Sequence, residues 1–233
     1  MTIKFDLLEN ATDSIKQAIE LLALPDEKSD ARRLKQAILA TAHGVELLLK
    51  ERLRRVHPVL VWENVDRFPS LSARTVTVDI AMSRLINIGG LRDLAHDVDL
   101  IKSLRDTRNA IEHYVWSTTK EEADLIVGQA LGFALHFSKS ELNHDFFGYQ
   151  ARKDDIFSLL LEGNPDLSKA FNSRYEKGNK KFDDSLELCD YCHTLAVSSI
   201  TGACHLCGHW NKEKEKQSSY SGNFDDFEDD IPF

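Results

Sequence analysis

All four cysteines of the chain lie between residues 189 and 207, in the segments CDYC and CHLC. Cys189 and Cys192 form one Cys-x2-Cys pair, Cys204 and Cys207 form the second, and eleven residues separate the pairs. Four thiolates in two such pairs match the tetrahedral, fully protein-ligated sites that hold structural Zn²⁺. The sequence therefore predicts one structural zinc ion, with no open coordination position for catalysis.

The zinc-binding segment, residues 186–211, is too short to hold an apolar core of its own. Metal binding is therefore expected to supply most of its folding free energy. Its three histidines, His193, His205 and His209, are expected at the surface because four thiolates complete the coordination of the metal. Contact with RNA, contact with a partner and ordering of the C-terminal segment all remain open as its role.

A second group of polar side chains lies in the segment LRDTRNAIEHY, residues 104–114. Helical periodicity places Asn109 and His113, four residues apart, on one ridge of a helix, and Arg108 and Glu112 on another. Ion pairs between residues four apart are common on solvated helix faces. Spacing alone therefore favours an exposed Arg108–Glu112 pair over a reactive site.

The segment RNAIEH, residues 108–113, resembles the R-x4-6-H signature of the HEPN superfamily. Members of this superfamily are small α-helical bundles that carry the signature on a late helix. The segments AHGVELLLKERLRRVHP and ARTVTVDIAMSRLINI are similar to the parts of such proteins that surround it, and the resemblance covers roughly residues 5–140.

Many HEPN proteins are metal-independent ribonucleases, and the resemblance implies this activity here. His113 would act as general acid or base at the RNA 2′-hydroxyl and the leaving oxygen, and Arg108 would stabilise charge on the phosphate. Asn109 would hold the imidazole or contact phosphate, and Glu112 would orient Arg108. Cleavage would leave a 2′,3′-cyclic phosphate and a 5′-hydroxyl, and no cofactor would take part in it.

HEPN ribonucleases act as dimers, with both copies of the signature in one cleft. The spacing agrees, because five positions on a straight helix of about 3.6 residues per turn correspond to about 140°. One helix would therefore not direct Arg108 and His113 at a single phosphate unaided, and a twofold partner would supply a second pair. The family also implies a toxin or antiviral defence effector, with an antitoxin as a further partner. The alternative is a non-catalytic HEPN adaptor that bridges genome-maintenance proteins.

The chain ends in the acidic segment NFDDFEDDIPF. The ending resembles the tip of bacterial single-stranded DNA-binding proteins, which docks on replication, repair and recombination proteins. The resemblance implies that Asp229 and Asp230 lie along a basic ridge of a partner and that Phe233 fills an apolar pocket. Ile231 and Pro232 complete the docking tip, in which the proline restricts the chain and so lowers the cost of ordering it. Recruitment to such proteins is favoured over the second use, in which the acidic tail folds back over the HEPN cleft and restrains it.

Helical periodicity predicts the elements that must position these residues. The expected helices cover residues 4–24, 30–57, 78–88, 97–115 and 120–141, and the first two are expected to form an antiparallel hairpin. The predicted fold is therefore all-α: an antiparallel helical bundle (HEPN-like), a small C-terminal zinc ribbon and a disordered acidic tail.

Composition divides the chain into four parts: residues 1–142 as the HEPN-like bundle, 143–185 as a connecting segment with a short helix, 186–211 as the ribbon and 212–233 as the flexible tail. The net charge of −9 includes five carboxylates in the last nine residues, so the body is only mildly acidic. That balance gives no general attraction to nucleic acid, and an RNA substrate must meet a local cluster. With no apolar stretch of about 20 residues, the expected location is cytoplasmic, without a membrane partner.

Overall fold

The computed structural model describes residues 4–23, 30–70, 72–146, 160, 167, 169, 186–190, 195–204 and 210–211. Most of these residues are helical, which confirms the predicted predominance of helix. The α-helices in the described ranges are α1 (Leu7–Ala23), α2 (Asp30–Val56), α3 (Val78–Asn87), α4 (Val98–His113) and α5 (Lys120–Leu142). A small antiparallel sheet follows, formed by β1 (Leu186–Leu188) and β2 (Leu195–Ser198). The HEPN-type bundle itself stays a prediction.

Helices α1 and α2 lie side by side in opposite directions, as the sequence predicts. At the middle of α1, Ile15 packs against Gly44 near the middle of α2, where an added Cβ would lie 2.6 Å from Cδ1 of Ile15. Near the end of α1, the backbone oxygen of Leu21 accepts a hydrogen bond of 3.1 Å from Arg33, close to the start of α2. Phe5, assigned to the apolar stripe from sequence, instead precedes α1 and is exposed.

Helix α2 is the central helix and packs against α1, α3, α4 and α5. Its residues Leu48, Leu49 and Leu53 are fully buried in the core. Arg52 pairs with Glu141 of α5 at 3.2 Å, and Arg55 donates a hydrogen bond of 2.6 Å to the last backbone carbonyl of α5. These contacts hold the C-terminal end of α2 against the C-terminal end of α5.

The segment between α2 and α3 is folded around one arginine. Arg84 of α3 donates hydrogen bonds of between 2.6 and 3.0 Å to the backbone oxygens of Leu60, Trp62 and Glu63. At the other end of α3, the side chain of Thr77 caps the helix by accepting from a backbone N–H of its first turn. Both interactions fix the position of α3, whose first turn contacts α4.

Helix α4 begins at Val98 and ends at His113. The prediction that it continues through Val115 is wrong, because Tyr114 has extended backbone angles and Val115 is 91% exposed. The chain then turns to start α5, where Thr119 forms a capping box with Glu122. Residues 114–119 therefore connect the two helices without helical structure.

Residues 143–146 fold back onto the helices after α5. Asn143 adopts a left-handed conformation (φ 50°), which ends α5. His144 then lies 3.0 Å from the hydroxyl of Thr12 on α1, and Phe146 is buried. Beyond them, Leu160, Leu167 and Lys169 are helical and the two leucines are buried. The predicted linker, residues 174–185, and the tail, residues 212–233, lie outside the described residues.

None of the helices in the described ranges is long and apolar enough to cross a membrane.

Candidate active site on helix α4

Helix α4 is anchored by one face and exposes the other. Ile101 and Leu104 are buried against the neighbouring helices. Arg105 forms ion pairs with Asp79 of α3 and with Asp106, and these raise its pKa above the ordinary value. Packing and these ion pairs together hold the first half of α4 in place. The helix therefore carries its last turns, with the predicted catalytic residues, in a fixed direction.

The predicted catalytic side chains form one cluster at the C-terminal end of α4. Nε of Arg108 lies 2.7 Å from Oε2 of Glu112, and another nitrogen of its guanidinium donates a hydrogen bond of 3.2 Å to the side-chain oxygen of Asn109. Nε2 of His113 lies 3.9 Å from the same Oε2 of Glu112, beyond hydrogen-bond distance. One carboxylate oxygen is therefore the nearest common neighbour of the guanidinium and the imidazole.

This geometry differs from the expectation based on a straight helix. The 140° separation of positions 108 and 113 predicted that one protomer would direct them apart. In the structure, the long side chain of Arg108 extends along the helix toward Glu112, and His113 approaches the same oxygen from the last helical position. Within a single protomer both groups thus lie near one carboxylate oxygen. That a dimer forms the cleft remains a prediction.

The cluster is open to solvent. His113 is 64% exposed and Arg108 is 42% exposed at the side chain. No described side chain covers the imidazole, so a phosphate could reach it without movement of the core. The Arg108–Glu112 pair is also what a solvated helix face would show, and a phosphate would have to compete with Glu112 for Arg108.

A pocket of about 160 Å³ lies between α2 and α4, next to this cluster. Arg108 and Glu112 line it from α4, and His43 and Glu46 line it from α2. Its floor is apolar and includes Ile101 and Leu104, with further apolar atoms from α2 and from Val78. Sequence analysis missed His43 and Glu46, although both lie in the segment AHGVELLLKERL that carries the HEPN resemblance.

A larger, shallow groove of about 460 Å³ follows another side of α4. It is lined by Lys102, Asp106 and Trp116 among others, and by none of the predicted catalytic residues. Charges of both signs lie in it, as they do in the smaller pocket. Because Arg108 and Glu112 line the smaller pocket, it is the one connected to the candidate chemistry.

The predicted zinc ligands are described only in part. Cys189 follows β1 directly, and Cys204 lies opposite Val197 of β2 in an antiparallel bridge. Both cysteines are buried, one directly after β1 and one in a bridge beside β2. The zinc ribbon itself stays a prediction.

Cys192 and Cys207, together with His193, His205 and His209, lie outside the described residues. Within the described ranges no three potential metal ligands cluster. The docking residues Asp229 to Phe233 also lie outside those ranges.

Comparison with known proteins found no match for this chain among protein-family models, curated proteins or solved structures.

Proposed function

We propose that this protein is a metal-independent endoribonuclease of the HEPN type, acting as a dimer. The observation that supports this function best is the approach of Arg108 and His113 to one carboxylate oxygen at an exposed helix end. A guanidinium binds and stabilises an anionic phosphate, and an imidazole transfers protons near neutral pH. Their combination is suited to an RNA phosphodiester, which carries its own nucleophile in the 2′-hydroxyl.

In the proposed reaction, neutral His113 removes the proton from the 2′-hydroxyl. The 2′-oxygen then attacks phosphorus, and the bond from phosphorus to the 5′-oxygen breaks. His113 of the second copy, in its protonated form, gives a proton to that leaving oxygen. Arg108 stabilises the charge that develops on the phosphate oxygens. The products are a 2′,3′-cyclic phosphate and a 5′-hydroxyl.

Asn109 and Glu112 serve to position Arg108 in this scheme. Asn109 accepts a hydrogen bond from the guanidinium, and Glu112 holds its Nε. When RNA binds, a phosphate oxygen takes the place of the Glu112 carboxylate on the guanidinium. Because the carboxylate repels that phosphate, Glu112 lowers the affinity for RNA while it keeps Arg108 extended along the helix.

The ribbon and the tail have separate proposed roles. Cys189, Cys192, Cys204 and Cys207 would hold a structural Zn²⁺ whose binding orders the ribbon, with no part in cleavage. The tail from Asp229 to Phe233 would recruit proteins with a pocket for the tip of the single-stranded DNA-binding protein. A toxin or antiviral defence role, with an antitoxin, is the biological setting that the family resemblance favours.

One observation favours the alternative, a non-catalytic adaptor. The guanidinium of Arg108 is held by Glu112 at 2.7 Å and by Asn109 at 3.2 Å, an arrangement that needs no substrate. In that case the HEPN surface would serve for dimerisation, and the tail would supply the contact with genome-maintenance proteins.

The two functions are distinguished by cleavage of RNA in the presence of a chelator. The purified protein is incubated with total RNA and with transfer RNA, alongside the variants His113→Ala and Arg108→Ala. We expect His113→Ala to slow cleavage by about 10²- to 10⁴-fold, the usual contribution of a positioned acid or base. Arg108→Ala should slow it by about 10²- to 10³-fold, the usual contribution of one donor that stabilises developing charge. His96→Ala and Arg92→Ala, at exposed positions before α4, are the matched controls and should cleave normally. Equal cleavage by all five proteins, or by none, would contradict the proposal.

A further inference from the structure

The imidazole of His43 has a defined tautomer. Its Nδ1 lies 2.9 Å from the hydroxyl oxygen of Ser14 on α1, and the same hydroxyl donates a hydrogen bond of 3.0 Å to the backbone oxygen of Asn10. A serine hydroxyl has one proton, and a carbonyl oxygen can only accept. The Ser14 oxygen therefore accepts a hydrogen bond from Nδ1–H of His43. In the neutral ring, the lone pair then lies on Nε2.

The polar rim of the pocket is rich in acceptors. Its acceptors are Nε2 of His43 and the carboxylates of Glu46 and Glu112, and the guanidinium groups of Arg105 and Arg108 also line it as donors. Lys50 donates a hydrogen bond of 2.5 Å to Oε1 of Glu46, which fixes that carboxylate at the pocket wall. Lys50 also donates to Thr75 at 2.9 Å, so the wall is held from two sides. A ligand that meets the acceptors on the α2 side, His43 and Glu46, must present N–H donors there.

The size and the floor of the pocket restrict the ligand further. At about 160 Å³ it is smaller than the roughly 300 Å³ at which pockets for drug-sized molecules begin. Its lining includes the half-buried Leu39, Ala42 and Val78, which offer an apolar surface to the face of one planar ring. Unpaired RNA bases present such a face together with an edge of hydrogen-bonding groups.

We propose that the pocket between α2 and α4 binds one unstacked RNA base that carries an exocyclic amino group, with His43 and Glu46 as acceptors for that group. Uracil, whose only Watson–Crick donor is N3–H and which lacks an amino group, should bind less tightly. Because Arg108 lines the same pocket, the bound base belongs to a nucleotide next to the phosphate that Arg108 holds. This inference rests on the proposed ribonuclease function and gives it a base preference.

The test measures binding without cleavage. Short RNA strands with 2′-fluoro sugars lack the attacking hydroxyl, so they remain intact whether or not the protein is a nuclease. Binding to the full-length protein is measured by fluorescence anisotropy for three strands: one of adenine, one of purine, which lacks only the amino group, and one of uracil. We expect adenine to bind about tenfold more tightly than purine or uracil, as the loss of one or two hydrogen bonds to acceptors requires.

His43→Asn is the informative variant. Its side-chain amide can still reach Ser14 from the Nδ1 position but offers nothing at Nε2, so the preference for adenine over purine should fall to less than twofold. His96→Asn is the matched control and should keep the tenfold preference. The inference is overturned if the wild-type protein binds adenine and purine equally or binds none of the strands. It is also overturned if the His43→Asn variant keeps the preference for adenine. Cleavage without base preference contradicts this inference alone, and base preference without cleavage of natural RNA contradicts the proposed function alone.

Discussion

Among the candidate catalytic residues, Glu112 is the one that the side chains of Arg108 and His113 both approach. Its Oε2 lies between the guanidinium of Arg108 and the imidazole of His113, so it neutralises the local positive charge in the absence of RNA. The ion pair itself could be predicted from the i, i+4 spacing. The approach of His113 could not, because it depends on side-chain conformations at the last turn of the helix. His43 was missed for a related reason, since its proximity to α4 arises only from packing of distant segments.

Glu51 is the residue whose titration is most closely connected to stability. Its side chain is 1% exposed, and Arg54 and Arg55 hold both of its oxygens at 2.7 to 2.9 Å. Burial alone would raise the pKa of Glu51, but the hydrogen bonds and charges of the two arginines outweigh it and lower the pKa below 4.5. A lowered folded-state pKa stabilises the fold above pH 4.5, and this contribution is lost as the pH falls through the folded-state value.

We therefore predict that Arg55→Met destabilises the helical part by about 1.5 to 3 kcal/mol at pH 7, because a buried carboxylate loses a charged donor. The difference from wild type should shrink below pH 4.5, as Glu51 becomes protonated. Urea unfolding followed by circular dichroism at both pH values measures it. Arg32→Met, at an exposed position of the same helix, is the control. A pH-independent difference, or none, would refute the assigned role.

At the scale of elements, the close contact between α1 and α2 depends on Gly44. An added Cβ would lie 2.6 and 2.7 Å from two atoms of the buried Ile15. Alanine favours helix over glycine by about 1 kcal/mol, whereas overpacking in a core costs about 1 to 3 kcal/mol. Gly44→Ala should therefore lower stability by up to about 2 kcal/mol, the difference between these effects.

The double variant Gly44→Ala with Ile15→Val removes Cδ1 of Ile15 and so relieves the contact. In a double-mutant cycle, the free energy of unfolding of the double variant should be about 1 kcal/mol higher than the sum of the two single changes predicts. Additive effects in thermal or urea unfolding would show that the two positions do not limit the approach of the helices.

The ribbon gives a second prediction at this scale. The purified protein should contain one zinc ion per chain, and Cys192→Ser should lose it, because three thiolates do not complete a structural site. Zinc removal with a chelator should disorder the ribbon while α1 to α5 remain folded. Elemental analysis and NMR spectra of the two forms measure both effects. Full zinc occupancy in Cys192→Ser, or an unchanged spectrum after chelation, would disprove the predicted site.

Sequence patterns predicted the helices better than their ends. Sequence patterns predicted a helix at each of the positions of α1 to α5, from apolar stripes for α1, α2, α4 and α5 and from the glycines that follow residue 88 for α3. Helix α5 is buried on more than one face, since residues 130–135 are all buried. The end of α4 was misplaced because Val115 continues the stripe, whereas the extended backbone of Tyr114 ends the helix at His113. Helix ends depend on such local hydrogen bonds, which periodicity does not record.

At the scale of the whole molecule, variants of the acidic tail distinguish its two proposed roles, recruitment of partner proteins and inhibition of the protein's own cleft. Phe233→Ala should weaken binding to a protein that carries a pocket for the single-stranded DNA-binding protein tip by about 10- to 100-fold, since burying a Phe contributes about 1.5 to 3 kcal/mol. Isothermal titration calorimetry measures it, with Phe224→Ala as the control. RNA cleavage should be unchanged in both variants. If Phe233→Ala binds normally, and removal of residues 225–233 accelerates cleavage, the tail acts on its own protein instead.

The most direct measurement of the central claim is the chemistry of the RNA ends. A single-stranded RNA of defined sequence is incubated with the full-length protein in the presence of a chelator, and the fragments are analysed by mass spectrometry. The account predicts 2′,3′-cyclic phosphate and 5′-hydroxyl ends that are absent after incubation with His113→Ala. Fragments with 3′-hydroxyl ends, or the same cyclic phosphate fragments from His113→Ala, would contradict it.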